Sequence, residues 1–311
     1  MLVLVLVFPG QGSQRPGMGI PWRDHPSWQL VGQLSEVVGR DLAELLLDAS
    51  PDTLRATRNS QLATYTLSLV ALDAATKGPL GEGIWAEQLA AVAGHSLGEY
   101  TALVAAGALS ASQGATLVQA RGEAMQSAAE ANPGTMAAVI GLELDGVSDA
   151  CGDVEGAWVA NDNAPGQVVI AGTLQGVEDA SAAALKRGSK RVIHLQVGGA
   201  FHTPLMQPAQ APLDRALAAA VFAPTPFPVV ANVDATPHTD DFRARLSAQL
   251  CSQVRWRGSL LALAQTGANL FVELGPGTEL SGMVRRTVPD VARLNVAGPE
   301  DLEALASAVN S

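Results

Sequence analysis

Gly94-His95-Ser96-Leu97-Gly98 places a serine between two glycines at a point where the hydrophobic pattern changes. An apolar run, Leu89-Ala90-Ala91-Val92-Ala93, leads into it, and an Ala/Leu/Val-rich pattern of helical period leaves it. A serine at a strand-to-helix corner of this kind sits on a tight, strained turn that lifts its hydroxyl above the sheet edge. Gly94 and Gly98 leave room for the backbone to bend and for strand and helix to approach. The N–H of Leu97 belongs to the same corner, at a helix N-terminus whose unpaired donors and positive dipole end favour an anion. That spacing supports a serine nucleophile beside an oxyanion site. Ser96 is the expected nucleophile.

Its base must come from five histidines. His25 and His238 sit in Pro/Asp-rich stretches that read as solvated loops. His95 adjoins Ser96, but neighbours on such a turn point apart, which makes it a poor base. His194 falls in a short strand and reads as core or edge. His202 follows the Gly198-Gly199 turn at a strand end, where catalytic side chains collect. No acid is evident to orient it: Asp234 would give the order Ser, His, Asp rather than the hydrolase order Ser, Asp, His. Arg121 lies in an apolar helical stretch, between Leu117-Val118 and Met125. A surface arginine can look like this, and so can a buried site for a carboxylate.

Bulk properties remove several function classes. The chain has 311 residues, 48% apolar and 16% charged, enough for one large α/β domain or two unequal ones and too apolar for long disordered tails. A net charge of −11 argues against binding nucleic acid or anionic lipid. Cys151 and Cys251 stand far apart, in no metal-type spacing, and read as small buried hydrophobes. The opening run, residues 1–8, lacks a basic flank, is too short to span a bilayer and ends at Pro9-Gly10. It reads as a buried parallel strand, with a cytoplasmic location expected.

These residues need elements to hold them. After the first strand, Phe8-Pro9-Gly10-Gln11-Gly12-Ser13-Gln14 is a Gly-rich turn with neither a dinucleotide fingerprint nor a Walker lysine. It can offer backbone N–H groups at a strand's carboxyl end. Helices are predicted over 27–48, broken near Gly39, over 59–77, over 96–108, and from an N-cap at Ser110 to about 129. From Pro133-Gly134 the elements shorten. Strands over 136–140, 157–160, 167–171 and 191–197, helices over 145–151 and 176–185, and a turn at 163–166 give the ferredoxin-like order β-α-β-β-α-β. Strands over 228–233, 270–273 and 294–297 alternate with helices over 242–250, 256–267, up to 286, and 299–309. Strands alternating with helices predict a mostly parallel, doubly wound sheet.

The motifs Phe8-Pro9-Gly10-Gln11-Gly12-Ser13-Gln14, Gly94-His95-Ser96-Leu97-Gly98-Glu99 and Arg121-Gly122 begin a series. Asn161-Asp162-Asn163-Ala164-Pro165-Gly166-Gln167, Gly199-Ala200-Phe201-His202 and Glu273-Leu274-Gly275-Pro276-Gly277 complete it, in an order and spacing that resembles the malonyl-CoA:acyl carrier protein transacylases over nearly the whole chain. The resemblance implies an α/β-hydrolase-like, mostly parallel large subdomain (1–130 and 198–311) with an inserted ferredoxin-like small subdomain (131–197). It implies Ser96 as the acylated nucleophile, His202 as its base and later acid, and an amide or carbonyl of Gln249 holding the histidine. By the same resemblance the N–H groups of Gln11 and Leu97 form the oxyanion hole, Arg121 pairs with the free malonyl carboxylate, and Asn161 and Phe201 contact substrate. Phe201 would crowd a branched acyl unit. Where many relatives have Gln-Pro and Asn-Pro-Val, this chain has Gln61-Leu62 and Ser252-Gln253-Val254, both expected outside the catalytic set.

The expected activity is transfer of malonyl from malonyl-CoA to acyl carrier protein, by a monomer needing no metal or other cofactor. Rivals are a discrete polyketide acyltransferase using malonyl or a substituted malonyl, an acyl-thioester hydrolase, and a silent carrier-binding module. Carrier proteins of this kind are acidic, so an enzyme at −11 needs local positive charge to receive one. Lys186-Arg187 with Lys190-Arg191, and Arg285-Arg286, are the candidate carrier-binding clusters, expected to flank the cleft entrance.

Overall fold

A computed structural model describes residues 2–310, so Met1 of the expected first strand lies outside the described residues. That strand, β1 (Leu4–Phe8), is buried along its whole length. Leu4, Leu6 and Phe8 enter one apolar cluster and Val5 and Val7 another. An unbroken apolar run is what a strand covered on both faces requires. Gly39, at a φ of 62°, ends α1 (Gln29–Val38), and the Asp41 carboxylate accepts from the Glu44 N–H to start α2 (Leu42–Leu47). Short α3 (Pro51–Arg55) precedes α4 (Thr57–Lys77), which is buried nearly all round. After α5 (Glu82–Gln88) come β2 (Leu89–Gly94) and α6 (Gly98–Ala105). Then α7 (Ala111–Ala131) opens on a capping box between Ser110 and Gln113.

The small sheet follows: β3 (Thr135–Ile140), α8 (Leu144–Gly152), β4 (Ala157–Ala164), β5 (Gln167–Gly172), α9 (Leu174–Lys186) and β6 (Arg191–His194). Its strands are antiparallel in the order β4-β5-β3-β6. Two boundaries differ from expectation. β4 continues to Ala164, through Asn161-Asp162-Asn163, residue types depleted in strands, with register shifts along the way. β6 stops at His194 rather than at 197 because its partner β3 begins at Thr135: the Leu195 N–H still reaches the Met136 carbonyl, and beyond it no bond to β3 is seen among the described residues.

Residues 203–227, which carry no strong pattern, form a 3-10 segment (Pro204–Ala209) and α10 (Gln210–Ala219) against α7. Of the strand expected over 228–233 only β7 (Val229–Val230) pairs, with β2 on one side and β8 (Pro237–His238) on the other. The chain closes with α11 (Phe242–Gln249), α12 (Trp256–Gln265), β9 (Leu270–Leu274), α13 (Glu279–Thr287), β10 (Ala292–Val296) and α14 (Leu302–Val309). The large sheet has the order β10-β9-β1-β2-β7-β8 and is parallel except for its last pair. Helices α12 and α13 cover one face, and α1, α4, α6 and α7 help cover the other. A parallel bridge between Asn161 and Val254 ties the small sheet to the chain just before α12. The result is an α/β fold with a mostly parallel sheet and a small antiparallel one.

Candidate active site

Ser96 stands where β2 ends and α6 begins, at a φ of 50°. A non-glycine residue held there costs on the order of 1–3 kcal/mol, so its surroundings must enforce it. They do so by close approach. A Cβ on Gly94 would drive into the Gly98 carbonyl, and one on Gly98 into the Phe8 carbonyl, so strand, turn and helix meet only because both are glycine. The helix begins at Gly98 rather than at Ser96, since the turn itself takes residues 95–97.

His202 also holds a left-handed backbone, with a φ of 62°. Its Nε2 lies 2.8 Å from Ser96 Oγ and its Nδ1 3.0 Å from the Gln249 carbonyl oxygen. A carbonyl can only accept, so Nδ1 carries the proton and Nε2 turns its lone pair to the serine hydroxyl. Burial, followed by the charge of Arg121, pushes the His202 pKa down to about 3, which keeps the ring neutral and able to accept a proton. Asp234 does not orient His202: it pairs with His238 at 2.8 Å and lies 3.6 Å from Arg245. His238 is therefore half-buried in β8 rather than solvated. His194 is exposed on the edge strand β6.

Arg121 is 1% exposed in α7. Its guanidinium donates to Ser96 Oγ at 3.0 Å, to the Gln249 side-chain oxygen at 3.1 Å and to the Gln61 side-chain oxygen at 2.7 Å, and it lies over the Tyr100 ring. Gln61, expected outside the site, is thus one of its holders. No carboxylate forms an ion pair with Arg121 among the described residues, so a buried positive charge faces the Ser96 hydroxyl with only neutral partners in contact.

Gln11, His95, Asn161 and Phe201 line one pocket with Ser96 and His202. His95 Nε2 lies 2.8 Å from Asn163 Oδ1, its ring meets Trp256 edge-on, and burial lowers its pKa. It does not bond Ser96. Asn161 Oδ1 is buried and accepts no hydrogen bond among the described residues. The Gln11 and Leu97 N–H groups donate no backbone hydrogen bond among the described residues, the state an oxyanion site needs. Gln11, Leu195 and Val197 also line a second hollow that extends to Pro51, Leu54 and Arg55.

The basic clusters converge, though not at the pocket itself. Arg286 donates to the Gln167 side chain, and Gln167 and Arg191 are the residues opposite Ile140 on its two sides. Lys190, Arg191 and Arg286 therefore share one end of the small sheet, with exposed Arg285 next to Arg286 in sequence. Met136 and Leu195, at the other end of β3 and just past β6, line the pocket.

Two contributors were given no role in the sequence reading. Asn232, buried after β7, accepts from the Ser96 N–H at 2.6 Å and donates to the Gly94 carbonyl at 2.7 Å. Glu99, 3% exposed, accepts from the Asn232 N–H at 2.9 Å and from the Gln249 side chain at 2.8 Å. Burial pushes its pKa up to about 7, against those donors and the charge of Arg121. The glutamate one residue past the Gly-x-Ser-x-Gly motif was a visible hint, whereas Asn232 lay in a stretch that read as strand.

The family model described as "Acyl transferase domain" matches residues 5–306. The chain is 38% identical to the malonyl CoA-acyl carrier protein transacylase of Bacillus subtilis, covering 97% of this chain and 96% of that protein. Among solved structures it is similar to the malonyl-CoA:acyl carrier protein transacylase of Xanthomonas oryzae, with a TM-score of 0.92, 38% identity and 99% of each chain covered. It is also similar to a malonyl-transacylase solved in complex with a type II polyketide acyl-carrier protein, with a TM-score of 0.92, 33% identity and 98% and 99% covered.

Proposed function

The chain belongs to the acyl transferase family, among the malonyl-CoA:acyl carrier protein transacylases, and from that membership we propose that it carries malonyl from coenzyme A to the phosphopantetheine thiol of an acyl carrier protein. Ser96 Oγ attacks the thioester carbonyl while His202 Nε2 takes its proton. The oxyanion sits between the N–H groups of Gln11 and Leu97. The C–S bond then breaks, and the CoA thiolate leaves with the proton from His202. The carrier thiol repeats the sequence on the malonyl ester, and Ser96 leaves reprotonated. Each step moves an acyl group or a proton, and none calls for a metal or redox cofactor.

Arg121 selects the acyl group. The malonyl carboxylate supplies the anion that the guanidinium lacks, whereas an acetyl group would leave it unpaired in a buried site. Neutralising Arg121 also removes a charge that opposes protonation of His202. The thiol-bearing arm runs through the hollow toward Arg55, Asn161 and Phe201 contact the acyl unit, and Lys190, Arg191, Arg285 and Arg286 receive the acidic carrier. We place the enzyme in the cytoplasm as a monomer. The polyketide-serving relative keeps open a second reading that differs only in the carrier.

The observation that carries this reading is a Ser96–His202 pair 2.8 Å apart with a guanidinium 3.0 Å from the serine oxygen and, among the described residues, no carboxylate paired with it. Arg121→Ala should lose malonyl transfer while gaining relative rate with acetyl-CoA. Acylation rates with the two donors test it, and an unchanged malonyl/acetyl preference would remove Arg121 from the carboxylate site.

A further inference from the structure

Both peptide groups flanking Ser96 are held from outside the turn. One amide, that of Asn232, spans it: its oxygen takes the Ser96 N–H at 2.6 Å and its nitrogen gives to the Gly94 carbonyl at 2.7 Å. The Gln249 side chain donates to the Ser96 carbonyl at 3.0 Å, while the Gln249 main-chain carbonyl holds His202. These two holders meet at one atom. Glu99 Oε2 accepts from the Asn232 N–H at 2.9 Å and from Gln249 Nε2 at 2.8 Å. Asn232 and Gln249 are fully buried and Glu99 nearly so, which leaves water no access to replace these bonds. Gln249 Oε1 in turn accepts from Arg121, so a single amide separates the buried carboxylate from the buried guanidinium.

We propose that Asn232 and Glu99 are positioning residues for acyl transfer: Asn232 clamps the left-handed turn that presents Ser96, and Glu99 locks Asn232 and Gln249 so that nucleophile, base and Arg121 stay in register. Neither touches the acyl group. Small displacements of reacting groups are costly in rate, so the effect belongs in turnover rather than in substrate binding. The proposal rests on the acyl-transfer reading above, and its test separates the two.

The rate of Ser96 acylation by malonyl-CoA is measured beside the rate of Ser96 phosphonylation by an alkyl fluorophosphonate. In the latter the serine oxygen forms the O–P bond, fluoride leaves and His202 takes the proton. Asn232→Ala should lower both maximal rates about 100-fold and shift KM for malonyl-CoA by less than about threefold. Glu99→Ala should fall in the same direction. Glu99→Gln, whose amide oxygen can accept both bonds, should retain at least about a tenth of wild-type rate. Asn232→Ser, too short to reach both partners, should match Asn232→Ala and serves if the alanine variant does not fold. An Asn232 variant within about threefold of wild type in both rates, or Glu99→Gln as impaired as Glu99→Ala, overturns the proposal. If wild type reacts with the fluorophosphonate but takes no malonyl, the functional reading falls, and the fluorophosphonate rates alone decide the positioning roles.

Discussion

At the residue scale the site works by withholding partners. His202 stays neutral because burial and Arg121 oppose its charge, and Arg121 stays hungry for an anion because its contacts are amides, a hydroxyl and a ring. Glu99 adds a pH signature. Its pKa is about 7 in the fold against about 4.5 when exposed, so the folded state keeps a proton that the unfolded state releases. Its contribution to stability is fully present below pH 4.5 and is lost as pH rises through about 7. His202 runs the other way, losing stability as pH falls from 6.5 toward about 3. In urea titrations from pH 4.5 to 8, the stability of wild type relative to Glu99→Gln should therefore decline up to about pH 7 and then level off. A difference that is flat across that range would mean that Glu99 does not titrate there. Ser96 stood out in the sequence because local pattern exposes it, whereas His202 and Arg121 were only candidates by pattern and took their roles from the family resemblance. Asn232 did not stand out, because its meaning lies in a contact to a residue 136 positions away. Gln61 likewise matters only through Arg121, 60 positions on.

At the element scale, the strand-turn-helix at Ser96 and the long helix bearing Arg121 were legible because each has local punctuation: two glycines for the first, the N-cap residue Ser110 for the second. The capping box satisfies two otherwise orphaned N–H groups at the start of α7. Ser110→Ala should therefore cost about 1 kcal/mol, seen as a lower thermal midpoint with activity retained at low temperature. An unchanged midpoint would mean that tertiary packing alone holds that end of the helix. Elements lacking such punctuation were misread. β4 was cut short because Asn161-Asp162-Asn163 are poor strand formers. β7 shrank to two residues because the chain turns there to bring Asn232 under Ser96.

At the scale of the whole molecule, the small sheet is a bracket between cleft and surface. One end supplies Met136 to the pocket, with Leu195 just beyond it, and the other gathers Lys190, Arg191 and Arg286 on a protein whose net charge is −11. Reversing Lys190 and Arg191 to Glu should raise KM for acyl carrier protein, most clearly at low salt, while malonyl-serine formation from malonyl-CoA changes by less than about twofold. Equal losses in both half-reactions, or none, would remove that surface from carrier docking. The β-α-β-β-α-β order was readable from element lengths. That the two basic clusters share one end of the small sheet was not, because only the antiparallel pairing of β3 with β5 and β6 sets Gln167, the partner of Arg286, and Arg191 on either side of Ile140.

The central claim is that Ser96 takes malonyl with His202 as its base. Wild-type protein mixed with malonyl-CoA, quenched and digested, should show one malonyl mass on the peptide carrying Ser96. Ser96→Ala should show none, and His202→Ala should acquire it about 10²–10⁴-fold more slowly. Malonyl found on another residue, or taken up by Ser96→Ala at a wild-type rate, would contradict the account.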